Sequence, residues 1–443
     1  LSTDTLGSCS VAIGRNALVA QNFTTATDSF NVAVGDTAGA AITTGISNTL
    51  IGASAGDALT VGNNNVAVGY ESLSGDTKGD RNVAIGRAAL QAQNFTTSTD
   101  SYNVAVGYGA GEAVTTGIQN ALIGSQAGDA LTDADFNVAV GTVALSSDTL
   151  GSRSTALGHA TLFSQNFTTA TDAYNVAVGY NAGQQVTTGI YNTLIGGLAG
   201  DALTDADYNV AIGGDALSSD TLGSRSVAIG TSALSAQNFT TATDAYNVAI
   251  GNSAGEAVTT GTQNTLIGGL AGDALTAAFE NVAIGYEAQT TDTLGRRTVA
   301  IGNGALQTQN FTTATNSYNT AVVYDAGTSV TTGMQNTLIG GLAGDAITTA
   351  DENTVIGYQA GTALTVGNNN VALGSLALGT DTKGDRNVAV GRAALFSQNF
   401  TTTTDSYNVG VGYSAGAAIT TGVRNTLIGG LSGDAITTGI RNT

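Results

Sequence analysis

The stretch Asn65-Val66-Ala67-Val68-Gly69 recurs, with small changes, along the whole chain. It opens 24 complete units that follow one another, eighteen of 17 residues and six of 21 residues. The order 21, 17, 17, 17 makes a super-repeat of 72 residues, and the last copy contains one additional 17-residue unit. A fixed period of tens of residues is typical of a solenoid, a propeller or an array. We number the positions of each unit from its opening Asn.

A unit of this length predicts one coil of a parallel β-solenoid. Helix pairs and propeller blades need about 34 to 45 residues. Positions 2 to 4 hold strand-forming residues, and position 5 is Gly in 23 of 24 units, which indicates a corner. The exception is Val323, where we expect a local distortion. The sequence therefore predicts an all-β fold, a parallel β-solenoid (β-roll) of about 24 coils that runs over residues 1–443 as one continuous array.

Two polar columns agree with stacked coils. Position 1 is Asn in 20 of 24 units, with Ser10, Ser154, Ser226 and Thr298 as exceptions, and position 13 is Thr in all eighteen 17-residue units. Identical polar residues stacked at ~4.8 Å can pass hydrogen bonds along a column. The chain has no Pro, which fits a fold in which nearly every backbone N–H is donated to a neighbouring coil.

The strands are apolar on both faces. Position 4 is always Val, Ile or Leu, and position 3 is mostly Ala with Leu in six units. A strand that is apolar on both sides is usually covered on both sides. We therefore expect self-association, as a homotrimer with the Ala/Leu column of position 3 at the interface. The alternatives are a single-chain solenoid that encloses both apolar columns and a self-assembling filament.

Composition excludes several kinds of partner. The net charge is −20, with 13 basic and 33 acidic residues, which argues against nucleic acid and anionic membranes. No apolar run approaches the ~18 residues needed to cross a bilayer, so we expect no membrane insertion. A single Cys excludes a disulfide framework within the chain. Since no capping unit is visible at either end, we expect a segment of a longer protein or filament.

The repeat resembles two families of surface fibres. Ser226-Val227-Ala228-Ile229-Gly230 and Asn82-Val83-Ala84-Ile85-Gly86 resemble the head repeats of trimeric autotransporter adhesins. Asn48-Thr49-Leu50-Ile51-Gly52 and the Thr-x-Gly turn after it are similar to phage tail-fibre repeats that occur with endosialidase-type self-cleaving chaperone domains. The 17/21 alternation is longer than the adhesin unit. The resemblance implies a left-handed β-roll in a trimeric fibre that is extracellular, on a cell surface or on a virion.

Catalytic chemistry has few candidates in this sequence. His159 is the only His, and Cys9 stands where sister units have Arg, so we expect both to be ordinary surface residues. The Gly-rich stretch 35–39 is not followed by the Lys-Ser/Thr of a phosphate loop, and coil corners explain it. A unique active site should break the period, and every feature is periodic. We predict no catalytic residues, no cofactor and no enzymatic activity.

Carboxylates recur in two columns, and neighbouring coils could bring one of each together to hold Ca²⁺. The Gly-Gly-x-Gly-x-Asp spacing of calcium β-rolls is absent, however, and turn-capping Asp is the prediction that we prefer. We therefore predict no metal site. The two columns are Asp57, Asp129, Asp201, Asp273, Asp345 and Asp434, and Asp76, Asp148, Asp220, Asp292 and Asp381.

The 21-residue units contain the most specific surface feature, a Gln-Asn-Phe-Thr-Thr insert with an Asn-x-Thr glycosylation acceptor. The alternative is an Asn turn in which Phe covers the bulge. The candidate acceptors are Asn22, Asn94, Asn166, Asn238, Asn310 and Asn399.

The sequence therefore favours a structural and adhesive protein, the rigid shaft of an extracellular or virion fibre, in contact with a cell-surface receptor or glycan. A different class is a ligand-binding solenoid with a glycan- or ice-binding surface built on the Thr column.

Overall fold

The computed structural model describes residues 4–443, which consist of short parallel strands joined by turns and contain no helix. These residues form two compact units, residues 4–224 with 240–242, and residues 225–239 with 243–443. Both units are built from the same kind of coil.

The first unit contains nineteen strands: β1 (Gly7–Ser8), β2 (Val11–Ile13), β3 (Thr27–Asp28), β4 (Val32–Val34), β5 (Thr49–Ile51), β6 (Val66–Val68), β7 (Gly79–Asp80), β8 (Val83–Ile85), β9 (Thr99–Asp100), β10 (Val104–Val106), β11 (Ala121–Ile123), β12 (Val138–Val140), β13 (Gly151–Ser152), β14 (Thr155–Leu157), β15 (Thr171–Asp172), β16 (Val176–Val178), β17 (Thr193–Ile195), β18 (Val210–Ile212) and β19 (Gly223–Ser224). The second unit contains seventeen: β20 (Val227–Ile229), β21 (Thr243–Asp244), β22 (Val248–Ile250), β23 (Thr265–Ile267), β24 (Val282–Ile284), β25 (Gly295–Arg296), β26 (Val299–Ile301), β27 (Thr315–Asn316), β28 (Thr320–Val322), β29 (Thr337–Ile339), β30 (Thr354–Ile356), β31 (Val371–Leu373), β32 (Gly384–Asp385), β33 (Val388–Val390), β34 (Thr404–Asp405), β35 (Val409–Val411) and β36 (Thr426–Ile428).

The three-residue strands stack in register from coil to coil. In the first unit, for example, β6 pairs in parallel with β8, so that Ala67 faces Ala84. In the second unit β23 pairs with β24 in the same way, and Leu266 faces Ala283. The two-residue strands belong to the 21-residue coils, where β7 pairs with β9. The predicted parallel β-solenoid with 17- and 21-residue coils is therefore confirmed.

The interior of each coil holds the position-3 column. The middle residue of every three-residue strand except Ala12 is buried, whereas the residues at positions 2 and 4 are half-buried or exposed. The Ala/Leu column is therefore covered by its own chain, and the expectation that it forms a trimer interface was wrong. The single-chain alternative was also wrong in one respect, because the Val/Ile column is not enclosed. Alternation of side chains along a strand separates two faces but does not say which one turns inward.

The interior is filled by compensating volumes. Where position 3 is Leu, as in Leu50, position 9 is Gly in that coil and in the preceding one. A Cβ at Gly39 would lie 2.7 Å from Cδ1 of Leu50, so no larger residue fits there. In the coil of Ala67, by contrast, position 9 is a buried Leu73. The large aliphatic side chain therefore comes from position 3 in one coil and from position 9 in another.

The position-5 glycines form a corner that only Gly can adopt. They have φ between +123° and +149°, and a Cβ at Gly340 would lie 2.6 Å from the carbonyl oxygen of Gly357 in the next coil. Val323 is the single non-Gly residue in this column and has φ of +93°. The predicted distortion at Val323 is confirmed.

Both polar columns form the predicted ladders. The N–H of Asn48 donates to Oδ1 of Asn31 at 3.0 Å, and the N–H of Asn65 donates to Oδ1 of Asn48 at 3.0 Å. The column is buried, so each amide is fully used inside the coil. In the Thr column, Oγ1 of Thr60 donates to the carbonyl oxygen of Thr77 at 2.9 Å. These side-chain hydrogen bonds join neighbouring coils, as the backbone hydrogen bonds between the strands do.

Replacing Val323 with Gly should stabilise the second unit. The strained φ costs on the order of 1–3 kcal/mol, and the added chain entropy of Gly offsets only about 0.5–1 kcal/mol of that gain. We expect a higher urea midpoint for Val323→Gly and a lower one for the matched change Gly340→Val. An unchanged or lower midpoint for Val323→Gly would show that the chain accommodates this corner without strain.

Candidate functional site

Each insert of a 21-residue coil contains a buried phenylalanine. In the coil that begins at Asn82, the chain leaves the ordinary path at Asn94 and returns through β9, where Thr99 lies beside Gly79. Phe95 is 6% exposed, and the Phe in each of the other five inserts is 5–6% exposed. The Phe side chain therefore holds the insert to the coil, as the turn alternative predicted. The Thr two residues after each acceptor Asn is exposed.

The candidate acceptors lie at the surface. Asn22, Asn94, Asn166, Asn238 and Asn399 are exposed, and Asn310 is half-buried. Asn94 stands at position 13, where the 17-residue coils have Thr, and its Oδ1 accepts a hydrogen bond from Oγ1 of Thr77 at 3.0 Å. Its N–H donates to the carbonyl oxygen of Thr115 in the next coil at 2.9 Å. The side-chain Nδ2 of Asn94 makes no hydrogen bond within residues 4–443, so the atom that glycosylation would modify is not used by the fold.

An Asp and a Gln lie beneath each insert, and both are buried in every insert except the first, where Asp4 is half-buried. Nε2 of Gln93 donates to Oδ2 of Asp76 at 2.7 Å, and Oε1 of Gln93 accepts from Nδ2 of Asn103 at 2.9 Å. The other oxygen of Asp76 accepts from the N–H of Gly79 at 3.0 Å and of Phe95 at 3.3 Å. The bond to Gly79 is the turn cap that the sequence predicted for this column. Burial nevertheless raises the pKa of Asp76.

The same pair explains the exceptions in the Asn column. Gln165 donates to Asp148 at 2.6 Å and to Oγ of Ser154 at 2.9 Å. Gln309 donates in the same way to Oγ1 of Thr298 at 3.1 Å. Four of the six insert coils have Ser or Thr instead of Asn at position 1, and the hydroxyl of that residue accepts this bond. The pair was not predicted, although Asp followed by Gln at position 12 of consecutive units is visible in the sequence.

The Asp57 column lies elsewhere, in half-buried turns. Burial is the largest cause of a raised pKa for Asp57, and nearby Glu71 raises it further. Asp129, Asp201 and Asp273 behave in the same way beside Glu112, Asp215 and Glu256. The carboxylates of the Asp76 column lie inside the coil instead, where Asp76 accepts hydrogen bonds from Gln93 and from the N–H of Gly79. In the described residues no three His, Cys, Asp or Glu side chains lie close enough together to hold a metal ion.

The remaining candidates lie where the sequence placed them. His159 is exposed and stacks on Tyr180, with ring centroids 5.5 Å apart. Cys9 is exposed, with Sγ 3.6 Å from a carboxylate oxygen of Asp28. Gly35 and Gly39 have positive φ and form the corner and a turn of one coil. His159 and Cys9 therefore lie in different coils, His159 beside Tyr180 and Cys9 beside Asp28.

Arg and aromatic residues form stacked columns at the surface. At the last position of successive coils, which is 17 or 21, the guanidinium of Arg153 lies 4.7 Å from the ring centroid of Phe136 and 5.8 Å from that of Tyr174. Tyr174, Tyr191 and Tyr208 continue the stack with centroids 5.1 and 5.2 Å apart. At position 6, Arg87 lies between Tyr70 and Tyr108 in the same way. These columns precede and follow the strand in each coil.

Between the two columns lies a surface that we name the strand face, made of the side chains at positions 2 and 4 of the 24 three-residue strands. Thirty-nine of these 48 side chains are Val, Ile or Leu, eight are Thr and one is Ala. Ile123 and Leu157, for example, are 41% and 43% exposed. The sequence predicts that this column is covered, but in the described residues its side chains are only half-buried or are exposed.

Comparison with protein-family models, curated proteins and solved structures gave no match. The resemblance to adhesin and tail-fibre repeats therefore stays an expectation from the sequence. In the described residues, no helix long and apolar enough to cross a membrane occurs.

Stability should rise as the pH falls from 7 towards 4. Burial raises the pKa of Asp57, Asp76, Asp129, Asp201, Asp273, Asp381 and Asp385, while Asp4 and Asp36 shift in the opposite direction. A carboxyl whose folded pKa exceeds its unfolded value, about 3.9, binds more protons in the native state, so stability is lost as pH rises through the folded pKa.

Urea unfolding at a series of pH values measures this effect. In the variant Asp76→Asn/Asp381→Asn the free energy of unfolding should depend less steeply on pH. The control is Asp36→Asn, which removes a carboxyl whose pKa is lowered instead of raised. Stability that increases between pH 4 and 7 would contradict the prediction.

The inserts should accept N-linked glycans when the chain is secreted from a eukaryotic cell. We expect a mass above that of the polypeptide, which an amidase specific for N-linked glycans removes. Thr96→Ala should remove one glycan because it destroys the acceptor at Asn94, whereas Thr97→Ala, which changes a neighbouring exposed Thr, should not. An unmodified mass would show that the insert geometry excludes the transfer.

Proposed function

We propose that this chain is a structural and adhesive protein, the rigid shaft of an extracellular or virion fibre, with no catalytic activity of its own. One observation supports the proposal above the others. Within a unit each coil is hydrogen-bonded to the next through the backbone, and ladders of Asn and Thr side chains add to this bonding in the 17-residue coils. Such bonding makes stability a sum over neighbouring coils and gives a chain whose length can grow without a new core.

Self-association belongs to the same proposal, with a homotrimer or a filament as the assembly and a cell-surface receptor or glycan as the target. The aliphatic strand face supports it, since a parallel sheet is normally covered on both faces. The homotrimer rests on the resemblance to adhesin heads, and the filament rests on the repetition of identical coils.

A glycan- or ice-binding surface on the Thr column is less well supported. The Thr hydroxyls donate to carbonyl oxygens of the next coil, at 2.9 Å for Thr60 and 3.0 Å for Thr132. A hydroxyl used in this way has no donor left for a ligand. At each insert Asn94 or its equivalent also interrupts the column.

The proposal is tested by locating the protein on its source. Gold-labelled antibodies against the purified chain should mark thin fibres on cells or virions in electron micrographs, and pre-adsorption with the purified chain should abolish the label. Label confined to the cell interior would contradict the proposal. Purified protein should also appear as elongated particles of uniform width with a ~4.8 Å repeat in diffraction from aligned samples.

A further inference from the structure

We infer that the strand face is the surface through which this protein self-associates, and that its partner is the strand face of other copies of the same chain. The inference rests on the proposed function and adds to it the surface and the partner. It replaces the Ala/Leu column, which lies inside the coil, with the Val/Ile column, which lies outside.

The chemistry of the face excludes charged partners. Its 48 side chains include no Asp, Glu, Lys, Arg, Asn or Gln, although the chain carries 33 acidic residues. Two copies with a net charge of −20 each repel one another. Contact through the strand face keeps the carboxylates of both copies in water and joins only apolar surface.

The size of the face matches a stable interface. Twelve strands of three residues occur in each unit. At ~4.8 Å between strands and ~3.3 Å per residue, one unit presents a strip of roughly 58 by 10 Å, or about 600 Å². Soluble monomers rarely expose a contiguous apolar patch much larger than a few hundred Å². Stable interfaces bury about 600–1,000 Å² on each partner, and the strip of one unit reaches the lower end of that range.

The repeat of the face selects a second copy over another partner. Ridges of Val and Ile recur once per coil, at the ~4.8 Å spacing of parallel strands. A partner can fill the gaps between these ridges over twelve coils only if its own side chains have the same spacing. Another strand face meets this condition, and two such faces can interdigitate about 10 Å apart, as paired sheets do in steric zippers.

The aromatic columns reinforce the choice of this side of the coil. Tyr174 and Tyr208, at the last position of their coils, are 43% and 44% exposed, and Tyr180, at position 6, is 59% exposed. These side chains border the strand face along the chain and carry a polar hydroxyl beyond an apolar ring. Amphipathic rims of this kind suit the edge of an interface, where one side is dry and the other wet.

The test compares matched lysine substitutions. Ile195→Lys/Ile250→Lys places one charge on the strand face of each unit, and Gln185→Lys/Thr260→Lys places the same charges at exposed positions elsewhere on the coil. Both variants reduce the net negative charge equally, so general repulsion between chains falls in both. Light scattering should give an assembly for the unaltered chain and for the control, and the mass of one chain for the face variant.

Circular dichroism decides whether the face variant remains folded. If it does not fold, cysteine cross-linking in a Cys9→Ser background provides a second measurement. Ile195→Cys should form disulfide-linked dimers on oxidation, and Gln185→Cys should not. An unaltered chain that is monomeric at micromolar concentration, a face variant that keeps the mass of the assembly, or cross-linking equal at both sites would each overturn the inference. A monomeric but fibre-like face variant would leave the shaft function in place.

Discussion

Coil-to-coil hydrogen bonding in register is the constraint on which the rest of this structure depends. The N–H of Val66 donates to the carbonyl oxygen of Asn82, and the N–H of Gly69 donates to that of Ile51, so one coil is bonded on both sides at fixed positions. A residue that cannot donate, or whose side chain enters the gap between coils, is excluded at such positions. The absence of Pro and the glycine corner follow directly from this requirement.

The constraint also determines how the interior is filled. Successive coils must keep the same spacing, so a large side chain at one position has to be offset by a small one nearby. Leu50 with Gly56 and Ala67 with Leu73 are two such combinations, each with one large and one small residue at positions 3 and 9. Polar interior residues are also matched between neighbouring coils, since Nε2 of Gln93 donates a hydrogen bond to Oδ2 of Asp76 in the preceding coil.

Much of this architecture could be predicted from the sequence, because period and strand propensity act locally. The strands, the corner, both ladders and the distortion at Val323 all follow from which residue types recur. The inward face could not be predicted from alternation alone, since both columns are apolar. The combination of Leu at position 3 with Gly at position 9, as in Leu50 and Gly56, was the available signal, because compensating volumes indicate residues that share an interior. The left-handed backbone of Tyr191 (φ +57°) carried no signal, because tertiary hydrogen bonds impose it on a residue that does not favour it.

The Asp–Gln pair beneath each insert has a consequence for how such a chain changes its length during evolution. Asp76 belongs to one coil and Gln93 to the next, so duplicating either coil alone would leave one buried carboxylate or amide without its partner. Tandem duplication of the whole 72-residue block recreates the pair at the junction. Purely apolar coils carry no such restriction, and the last super-repeat has gained one additional 17-residue coil while Asp381 and Gln398 remain paired. Gene rearrangement can therefore lengthen this protein coarsely by whole blocks or finely by single coils of about 4.8 Å, with the polar pairs marking where a break is not tolerated.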